Sequence, residues 1–252
     1  MIVAERVSKR YGSYYAVKDA SVAIEKERIT ALIGPNGAGK STLLSLMSRL
    51  LTADEGQVYI EGQPIQRWKP DDLAKRLSIL KQSNHLTLRL TVRDLVGFGR
   101  FPHSWGRLTP EDEEHVDRAI RYMDLTALQH KFLDELSGGE RQRAFLAMVL
   151  AQDTDAILLD EPLNNLDMKH AVEIMKMLRR LVDDMGKTVV LVLHDVNFAA
   201  CYADDIVAMK QGTVLRAGPV EEIIDPDVLR DVYDMDIRVE QFQCHRVCLY
   251  FQ

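Results

Sequence analysis

Residues 29–42 read Ile-Thr-Ala-Leu-Ile-Gly-Pro-Asn-Gly-Ala-Gly-Lys-Ser-Thr, an apolar run followed by a glycine-rich turn. The run Ile29–Ile33 has the length and composition of a buried strand. Residues 34–42 fit the pattern G-x-x-x-x-G-K-[ST] at every position. Leucines and a methionine then recur at helical spacing and predict a helix over Ser41–Leu51. A strand, a glycine turn and a helix in this order form the context in which the pattern binds phosphate.

The residue types in the turn suit a polyphosphate ligand. Glycines let backbone N–H groups turn inward where side chains would block the approach, and the helix adds its positive dipole end. Lys40 can reach the β- and γ-phosphates, and the Ser41 hydroxyl can coordinate Mg²⁺. An ordinary glycine turn is the alternative, although a chance match is on the order of 1 in 100. The candidate phosphate-binding residues are Gly34, Pro35, Asn36, Gly37, Ala38, Gly39, Lys40, Ser41 and Thr42.

Other apolar runs predict an α/β fold around this strand. Two runs, Ala156–Leu159 and Thr188–Leu193, are nearly continuous, as strands covered on both faces should be. Shorter strands are expected at Gln57–Ile60, Leu77–Lys81 and Val214–Arg216. Because longer helical patterns alternate with these runs, the sheet is expected to be largely parallel.

The middle of the chain has a different character. From about Asn84 to Glu135 the strand signal fades, and Pro110–Leu125 reads as a charged amphipathic helix with an acidic first turn. We therefore expect a mostly helical lobe inserted into the α/β core. From about Asp225 a helix is expected, followed by a possible strand at Ile237–Tyr250. The chain is then one domain, with residues 1–82 and 152–225 as the α/β core, 83–151 as the helical subdomain and 226–252 as the C-terminal helix and strand.

Composition restricts the class of protein. The chain has 252 residues and a net charge of −6, which disfavours a nucleic-acid binder. Its longest aliphatic run, Val189–Leu193, is far shorter than the roughly 18 residues of a membrane span, and the N-terminus lacks an apolar stretch of signal-peptide length. Cys244 and Cys248, with only His245 nearby, fall short of a zinc-ligand set. We expect a cytosolic, soluble protein.

Polar residues follow three of the predicted strands, where ligands bind in open α/β sheets. Asp160 suits Mg²⁺, usually through water, and Glu161 could orient and deprotonate the water that attacks the γ-phosphate. Gln82 could sense Mg²⁺ and that water, while His194 could hydrogen-bond the γ-phosphate. Taken singly, such residues are more often solvated or structural. The phosphate loop in the same chain favours the catalytic interpretation.

The segment Leu136–Glu140, Leu-Ser-Gly-Gly-Glu, precedes a predicted helix at Arg141–Ala151. Ser137 and Glu140 have the spacing of a capping box for that helix. Gly138 and Gly139 expose backbone N–H groups at the same helix N-terminus, which makes it a candidate anion site. Capping and phosphate binding are compatible.

Together these elements closely resemble the ATP-binding subunit of ATP-binding-cassette (ABC) transporters over nearly the whole chain. The Leu-Ser-Gly-Gly-Glu segment separates that family from other P-loop proteins, although Gln is commoner than Glu at residue 140. In chain order the matching elements are Tyr11, Gly34–Thr42, Gln82, Leu136–Glu140, Asp160-Glu161, Asn165-Leu166-Asp167 and His194.

The resemblance implies a P-loop ABC ATPase core with a small antiparallel β portion and an inserted helical subdomain. It also implies that two copies sandwich two ATP molecules with Mg²⁺, each between the phosphate loop of one copy and Ser137–Gly139 of the other. Tyr11 would stack on adenine, a packing aromatic being the alternative, and Asp167 would cross the interface. The lobe after Gln82 would grip a membrane permease.

A narrower likeness is to the ATPases of iron-chelate importers, which act on ferric siderophores, haem or cobalamin. It implies a peripheral subunit on the cytoplasmic face of the membrane that powers import, most similar to the ferric-siderophore branch. Its partners would be polytopic permease subunits and, indirectly, an extracytoplasmic binding protein, with no nucleic acid. Leu163 stands where many relatives have Thr. The resemblance rests on residues 99–103 (Gly-Arg-Phe-Pro-His), 163–170 (Leu-Asn-Asn-Leu-Asp-Met-Lys-His), 194–197 (His-Asp-Val-Asn) and 202–204 (Tyr-Ala-Asp).

Two alternatives remain open at this point. The chain could serve a haem or cobalamin importer, or be a soluble ABC ATPase of the iron–sulfur assembly type. A DNA-repair ATPase is disfavoured because the chain has no long coiled-coil or zinc insertion. A regulatory ATP-binding module without turnover is disfavoured because Glu161 and His194 are both present.

Overall fold

The computed structural model describes residues 1–82, 88–243 and 245–250. The first five residues of the predicted helical subdomain, Cys244 and the last two residues lie outside these ranges. The strands are β1 (Ile2–Tyr11), β2 (Tyr14–Ile24), β3 (Ile29–Ile33), β4 (Glu55–Ile60), β5 (Gln63–Pro64), β6 (Leu77–Leu80), β7 (Ala156–Leu159), β8 (Thr188–Val192), β9 (Asp205–Lys210), β10 (Thr213–Pro219), β11 (Arg238–Phe242) and β12 (His245–Leu249). The α-helices are α1 (Lys40–Met47), α2 (Pro70–Ala74), α3 (Val92–Phe98), α4 (Phe101–Ser104), α5 (Pro110–Tyr122), α6 (Gly138–Ala151), α7 (Met168–Met185), α8 (Val196–Tyr202), α9 (Val220–Ile223) and α10 (Pro226–Tyr233).

A six-stranded sheet in the order β10-β9-β3-β8-β7-β6 forms the centre of the molecule. Strand β3 pairs in parallel with β8 and β9, and β8, β7 and β6 continue the parallel arrangement. Only β10, at one edge, is antiparallel within this sheet of the described residues. Every residue of β3 and β8 is buried, because helices and a second sheet cover the two faces. The predicted parallel core is confirmed.

A smaller antiparallel sheet in the order β2-β1-β4-β5 packs over one face, with α1 between the two sheets. Apolar residues of α1, among them Leu43 and Met47, contact the cores of both sheets. The helix ends at Met47 rather than at the predicted Leu51, because Arg49 has a φ of 61° and turns the chain away from the helical path. The antiparallel β portion implied by the family resemblance is present.

Helices α3, α4, α5 and α6 lie between β6 and β7 in the chain, and α3, α5 and α6 pack against the other face with α7 and α8. Helix α5 begins after a Thr109–Asp112 capping box and carries the predicted acidic first turn. It ends at Tyr122, earlier than the predicted Leu125, because Asp124 has a φ of 54°. None of the helices in the described ranges is long and apolar enough to span a bilayer.

The C-terminal segment contains the predicted helix, α10, but two strands instead of one. Strands β11 and β12 form an antiparallel hairpin that turns at Gln243, whose φ is 54°. Its second strand packs on α8, where the Asn197 side chain bonds both backbone groups of Cys248. The sequence did not reveal the turn, because Gln243 is neither glycine nor proline.

A buried ion pair ties the Gly99–His103 segment to helices α5 and α6 within the helical lobe. Arg100 Nε donates to Asp112 Oδ1 at 2.9 Å, and Arg100 Nη1 donates to the Ala151 carbonyl at 2.9 Å. Burial alone would raise the pKa of Asp112, but hydrogen bonds from Thr109 and Arg100 outweigh burial and hold it at about 2. The pair therefore contributes to stability only while Asp112 is ionised.

Asp112→Asn should lower the free energy of unfolding by about 2 kcal/mol at pH 7, because the folded pKa of about 2 lies below the model-compound value of 3.8. With a depressed pKa, this stabilisation is present above the unfolded pKa and is lost as the pH falls toward the folded one. Urea unfolding of wild type and variant should differ about half as much at pH 3. Asp227→Asn, an exposed carboxylate on α10, is the control. A difference that did not depend on pH would contradict this account.

Candidate active site

The phosphate-loop pattern lies at the carboxyl end of β3 and leads directly into α1. Gly34 has a φ of 139°, and a Cβ there would lie 2.0 Å from the Met209 carbonyl oxygen. Gly39 has a φ of 97°, and a Cβ there would lie 2.3 Å from the Ala16 carbonyl oxygen. Both glycines are therefore required by the fold itself, since the loop packs tightly against β9 and β2.

Lys40 is buried at the first position of α1, beneath the loop. Its Nζ donates to the carbonyl oxygens of Gly34 at 2.7 Å and Pro35 at 3.0 Å. Burial lowers the pKa of the Lys40 ammonium, and the carboxylates of Glu161 and Asp160 partly oppose that shift. The ammonium therefore sits inside the loop, where an anion would stabilise its charge.

Ser41 and Asp160 bring two oxygen ligands together beside the loop. Ser41 Oγ donates to Asp160 Oδ1 at 2.7 Å. Burial raises the pKa of Asp160, an effect that the Ser41 hydrogen bond opposes and the neighbouring Glu161 carboxylate reinforces. A half-buried carboxylate next to a hydroxyl is a pair of oxygen ligands that Mg²⁺ accepts. The residues present thus fit the magnesium role predicted for them.

Glu161 lies at the meeting point of three strand ends. Its Oε2 accepts hydrogen bonds from Gln82 Nε2 at 2.6 Å and Asn164 Nδ2 at 2.7 Å. Its Oε1 lies 2.7 Å from His194 Nε2. Gln82 follows β6, Glu161 follows β7 and His194 follows β8, so adjacent parallel strands bring the three together. Glu161 has a φ of 51°, a left-handed conformation for a non-glycine residue at the strand end.

A cleft of about 320 Å³ opens between the phosphate loop and the β1–β2 turn. Tyr11 lines it and is 52% exposed, so this ring is not a packed core residue. Tyr14 and Ala16 also line the cleft, and Tyr14 Oη donates to the Gly37 carbonyl at 3.3 Å. The sequence analysis missed Tyr14. Its pairing opposite Tyr11 across the hairpin is the signal that could have revealed it.

Ser137 begins α6 with the predicted capping box. Ser137 Oγ accepts from the Glu140 N–H at 3.3 Å, and Glu140 Oε2 accepts from the Ser137 N–H at 2.8 Å. The backbone hydrogen bond from Ser137 lowers the pKa of Glu140. In the described part of the chain, the residues that line the 320 Å³ cleft do not include Ser137, Gly138, Gly139 or Asp167. The structure therefore brings most of the predicted residues together in one chain and leaves these four elsewhere.

Asp167 is the N-cap of α7. Its Oδ1 accepts from the backbone N–H of His170 at 2.9 Å and lies 2.8 Å from His170 Nδ1. The backbone hydrogen bond from His170 lowers the pKa of Asp167. The Asp167 carboxylate is exposed, and its hydrogen bond to the first turn of α7 fixes its position.

A parallel sheet with a glycine-rich phosphate loop and paired carboxylates at its carboxyl edge defines a P-loop nucleotide-binding protein. Residues 17–164 match the family described as ABC transporter. This match spans more than half of the chain, and the protein belongs to the ABC transporter family.

Several relatives match along nearly their whole length. The chain is 56% identical over 251 residues to the petrobactin import ATP-binding protein YclP of Bacillus subtilis (strain 168), covering 100% of both chains. It is 50% identical to the petrobactin import ATP-binding protein FatE of Bacillus anthracis, over 95% of this chain and 96% of that one. It is 39% identical to the ferric enterobactin transport ATP-binding protein FepC of Escherichia coli (strain K12), over 92% and 86% of the two chains.

Solved structures share the fold. A bacterial ABC transporter cassette solved as a dimer is 31% identical, with a TM-score of 0.78 over 87% of this chain and 99% of that chain. A post-hydrolysis dimer of the same cassette with ADP and Pi has a TM-score of 0.77 at 29% identity, over 87% and 99% of the chains. An inward-facing conformation of an ABC transporter, 23% identical, has a TM-score of 0.85 over 99% and 98% of the chains. This last likeness concerns the fold alone.

Gly34→Ala should lower the free energy of unfolding by about 3 kcal/mol or more, because its Cβ would overlap the Met209 carbonyl oxygen. Gly62→Ala is a matched control, since Gly62 also has a positive φ (77°) but nothing lies within 4 Å of the added carbon. Its loss should be about 1 kcal/mol. Urea unfolding without nucleotide measures both. Equal losses would contradict the tight packing of the loop.

Proposed function

We propose that this chain is the ATP-hydrolysing subunit of an ABC importer for a ferric siderophore. The observation that carries the ATPase assignment is Glu161, placed beside the phosphate loop with Gln82 and His194 on its two oxygens. The relatives' names, which describe import of petrobactin and transport of ferric enterobactin, support the cargo. Import of haem or cobalamin has no comparable support among these relatives.

In the proposed mechanism, the loop backbone N–H groups and Lys40 bind the ATP phosphates. The Lys40 ammonium donates to the carbonyls of Gly34 and Pro35, and Lys40 lines the cleft. Tyr11 offers a ring for adenine at the far end of the cleft, and Tyr14 supports the loop at Gly37. The remaining phosphate contacts come from residues 36–42, which line the cleft or form the start of α1.

Ser41, Asp160 and Gln82 would hold Mg²⁺, with Asp160 acting through water. The ion supplies charge neutralisation for the phosphate oxygens. The separation of roles between adjacent carboxylates follows from their surroundings. Asp160 bonds the Ser41 hydroxyl, whereas both oxygens of Glu161 face side chains that can donate.

Glu161 would act as the general base. In this arrangement its Oε1 is occupied by His194 and its Oε2 by Gln82 and Asn164. We infer that His194 leaves Oε1 to hydrogen-bond the γ-phosphate when ATP binds, which frees Oε1 for water. The water oxygen then bonds to the γ-phosphorus, its proton passes to Glu161, and the bond to the bridging oxygen breaks to give ADP and phosphate.

A second copy of the chain would complete each site. Ser137, Gly138 and Gly139 carry backbone N–H groups at the start of α6 but do not line their own chain's cleft. In a head-to-tail pair they would face the partner's γ-phosphate, with Asp167 at the interface. Dimeric structures of a cassette that is 31% identical support this arrangement.

The helical lobe would contact polytopic permease subunits at the cytoplasmic face of the membrane. It exposes an aromatic cluster, with Phe98, Phe101 and Trp105 each about half exposed or more, and 5.9 Å between the Phe101 and Trp105 ring centroids. Through the permease the chain would serve an extracytoplasmic binding protein. We propose that the chain is one domain with an α/β core (1–82 and 152–225), a helical subdomain (83–151) and a C-terminal segment (226–252).

Glu161→Gln should retain ATP binding but release phosphate at less than about one-hundredth of the wild-type rate, because an amide cannot take a proton from water. The variant should accumulate as an ATP-bound dimer in sedimentation velocity. Glu55→Gln, an exposed residue on β4, is the matched control and should turn over normally. Wild-type phosphate release by Glu161→Gln would remove the base assignment.

Deleting the gene should slow growth only under iron limitation and stop uptake of one radiolabelled ferric siderophore. The Glu161→Gln gene should fail to restore uptake, because transport requires turnover and not merely binding. Uptake assays with a panel of ferric siderophores, haem and cobalamin measure the cargo. Normal uptake of every iron chelate, with loss of another solute, would overturn the iron assignment and leave the transporter assignment standing.

A further inference from the structure

Helices α6 and α7 meet at their N-terminal ends, where one side chain bridges two segments assigned to the dimer interface. The His170 ring lies directly over Gly139. A Cβ added at Gly139 would be 2.6 Å from Cδ2 and 2.7 Å from Cγ of that ring. The same ring places Nδ1 2.8 Å from Asp167 Oδ1. His170 therefore contacts both Gly139, in the first turn of α6, and Asp167, the N-cap of α7.

Two neighbouring contacts extend this junction. A Cβ at Gly138 would lie 3.9 Å from the Asn165 carbonyl oxygen, in the segment just before α7. One turn further along both helices, Arg143 Nη1 donates to Glu173 Oε2 at 3.4 Å. Gly139 is buried, and the three heavy atoms nearest to a Cβ added there all belong to His170. The His170–Gly139 contact and the Arg143–Glu173 hydrogen bond one turn further thus form a continuous contact between α6 and α7.

We propose that His170 is a positioning residue that fixes the Ser137–Gly139 segment and Asp167 relative to each other within one subunit. A ring packed on a glycine leaves little freedom for sliding, and the Asp167 hydrogen bond sets the ring's orientation. Both segments would then approach the partner's ATP as one unit. This inference rests on the proposed two-copy site.

The proposal also explains why residue 139 is glycine: the His170 ring of the same chain leaves no room for a side chain there. The partner's nucleotide is the other possible reason, since a close phosphate would also exclude a side chain. The ring atoms at 2.6 Å and 2.7 Å are already incompatible with a Cβ in the single chain. The two explanations predict different outcomes when the ring is removed.

The first experiment separates packing from hydrogen bonding at residue 170. His170→Phe keeps the ring and loses the polar contact, His170→Asn keeps a polar group and loses the ring, and His170→Ala loses both. We expect kcat to fall about tenfold in the Asn and Ala variants and less than about threefold in Phe, with KM for ATP unchanged within about twofold. Lys169→Ala, its exposed neighbour on α7, is the control. Wild-type kcat in His170→Ala would overturn the proposal.

The second experiment is a double-mutant cycle. Gly139→Ala should lower kcat and the Tm of the nucleotide-free protein in the wild-type background. In the His170→Ala background it should change kcat by less than about threefold, because the remaining His170 Cβ contact at 3.2 Å needs only a small shift. Equal losses in both backgrounds would assign the glycine to the partner's nucleotide and overturn the proposal. The Tm comparison needs no ATP, whereas failure of the proposed function appears separately, as hydrolysis by Glu161→Gln.

Discussion

The phosphate loop can bind a polyphosphate only while its backbone N–H groups remain turned toward one point, and the rest of the structure depends on this constraint. Gly34 packs against the Met209 carbonyl and Gly39 against the Ala16 carbonyl, so both sheets hold the loop. The Lys40 ammonium, bonded to two loop carbonyls, closes it from within. These contacts hold the glycine-rich phosphate loop in one conformation.

The charged side chains of Lys40, Asp160 and Glu161 lie around that loop at the carboxyl edge of the sheet. Burial lowers the pKa of Lys40 and raises that of Asp160, so a ligand of opposite charge would stabilise the ionised form of each. In the proposed mechanism these ligands are the ATP phosphates and Mg²⁺. Glu161 differs, because Gln82 and Asn164 donate to its Oε2 and His194 Nε2 lies 2.7 Å from its Oε1. The strand order that forms the core also brings Gln82, Glu161 and His194 together at adjacent strand ends.

Sequence reasoning predicted what local patterns encode and missed what tertiary contacts decide. The loop, strands β3, β7 and β8 and the capping box at Ser137 follow from periodicity and residue chemistry, and the structure confirms them. Helix α1 ends early, at Met47, because Arg49 adopts a left-handed backbone conformation that no glycine or proline signals. Tyr14 lies opposite Tyr11 across a tight hairpin, a local signal that the sequence analysis did not use. The contact of His170 with Gly139 joins two helices, and such a tertiary contact cannot be derived from one sequence.

The central claim is that each ATP site is built from two copies of this chain. Equimolar mixing of Ser137→Arg and Lys40→Ala proteins tests it directly, with phosphate release as the measurement. Each variant alone should be inactive, Ser137→Arg while still binding ATP. The mixture should recover at most about one quarter of the wild-type rate, because half of the dimers are mixed and each carries one intact site. Wild-type hydrolysis by Ser137→Arg alone would contradict the two-copy site.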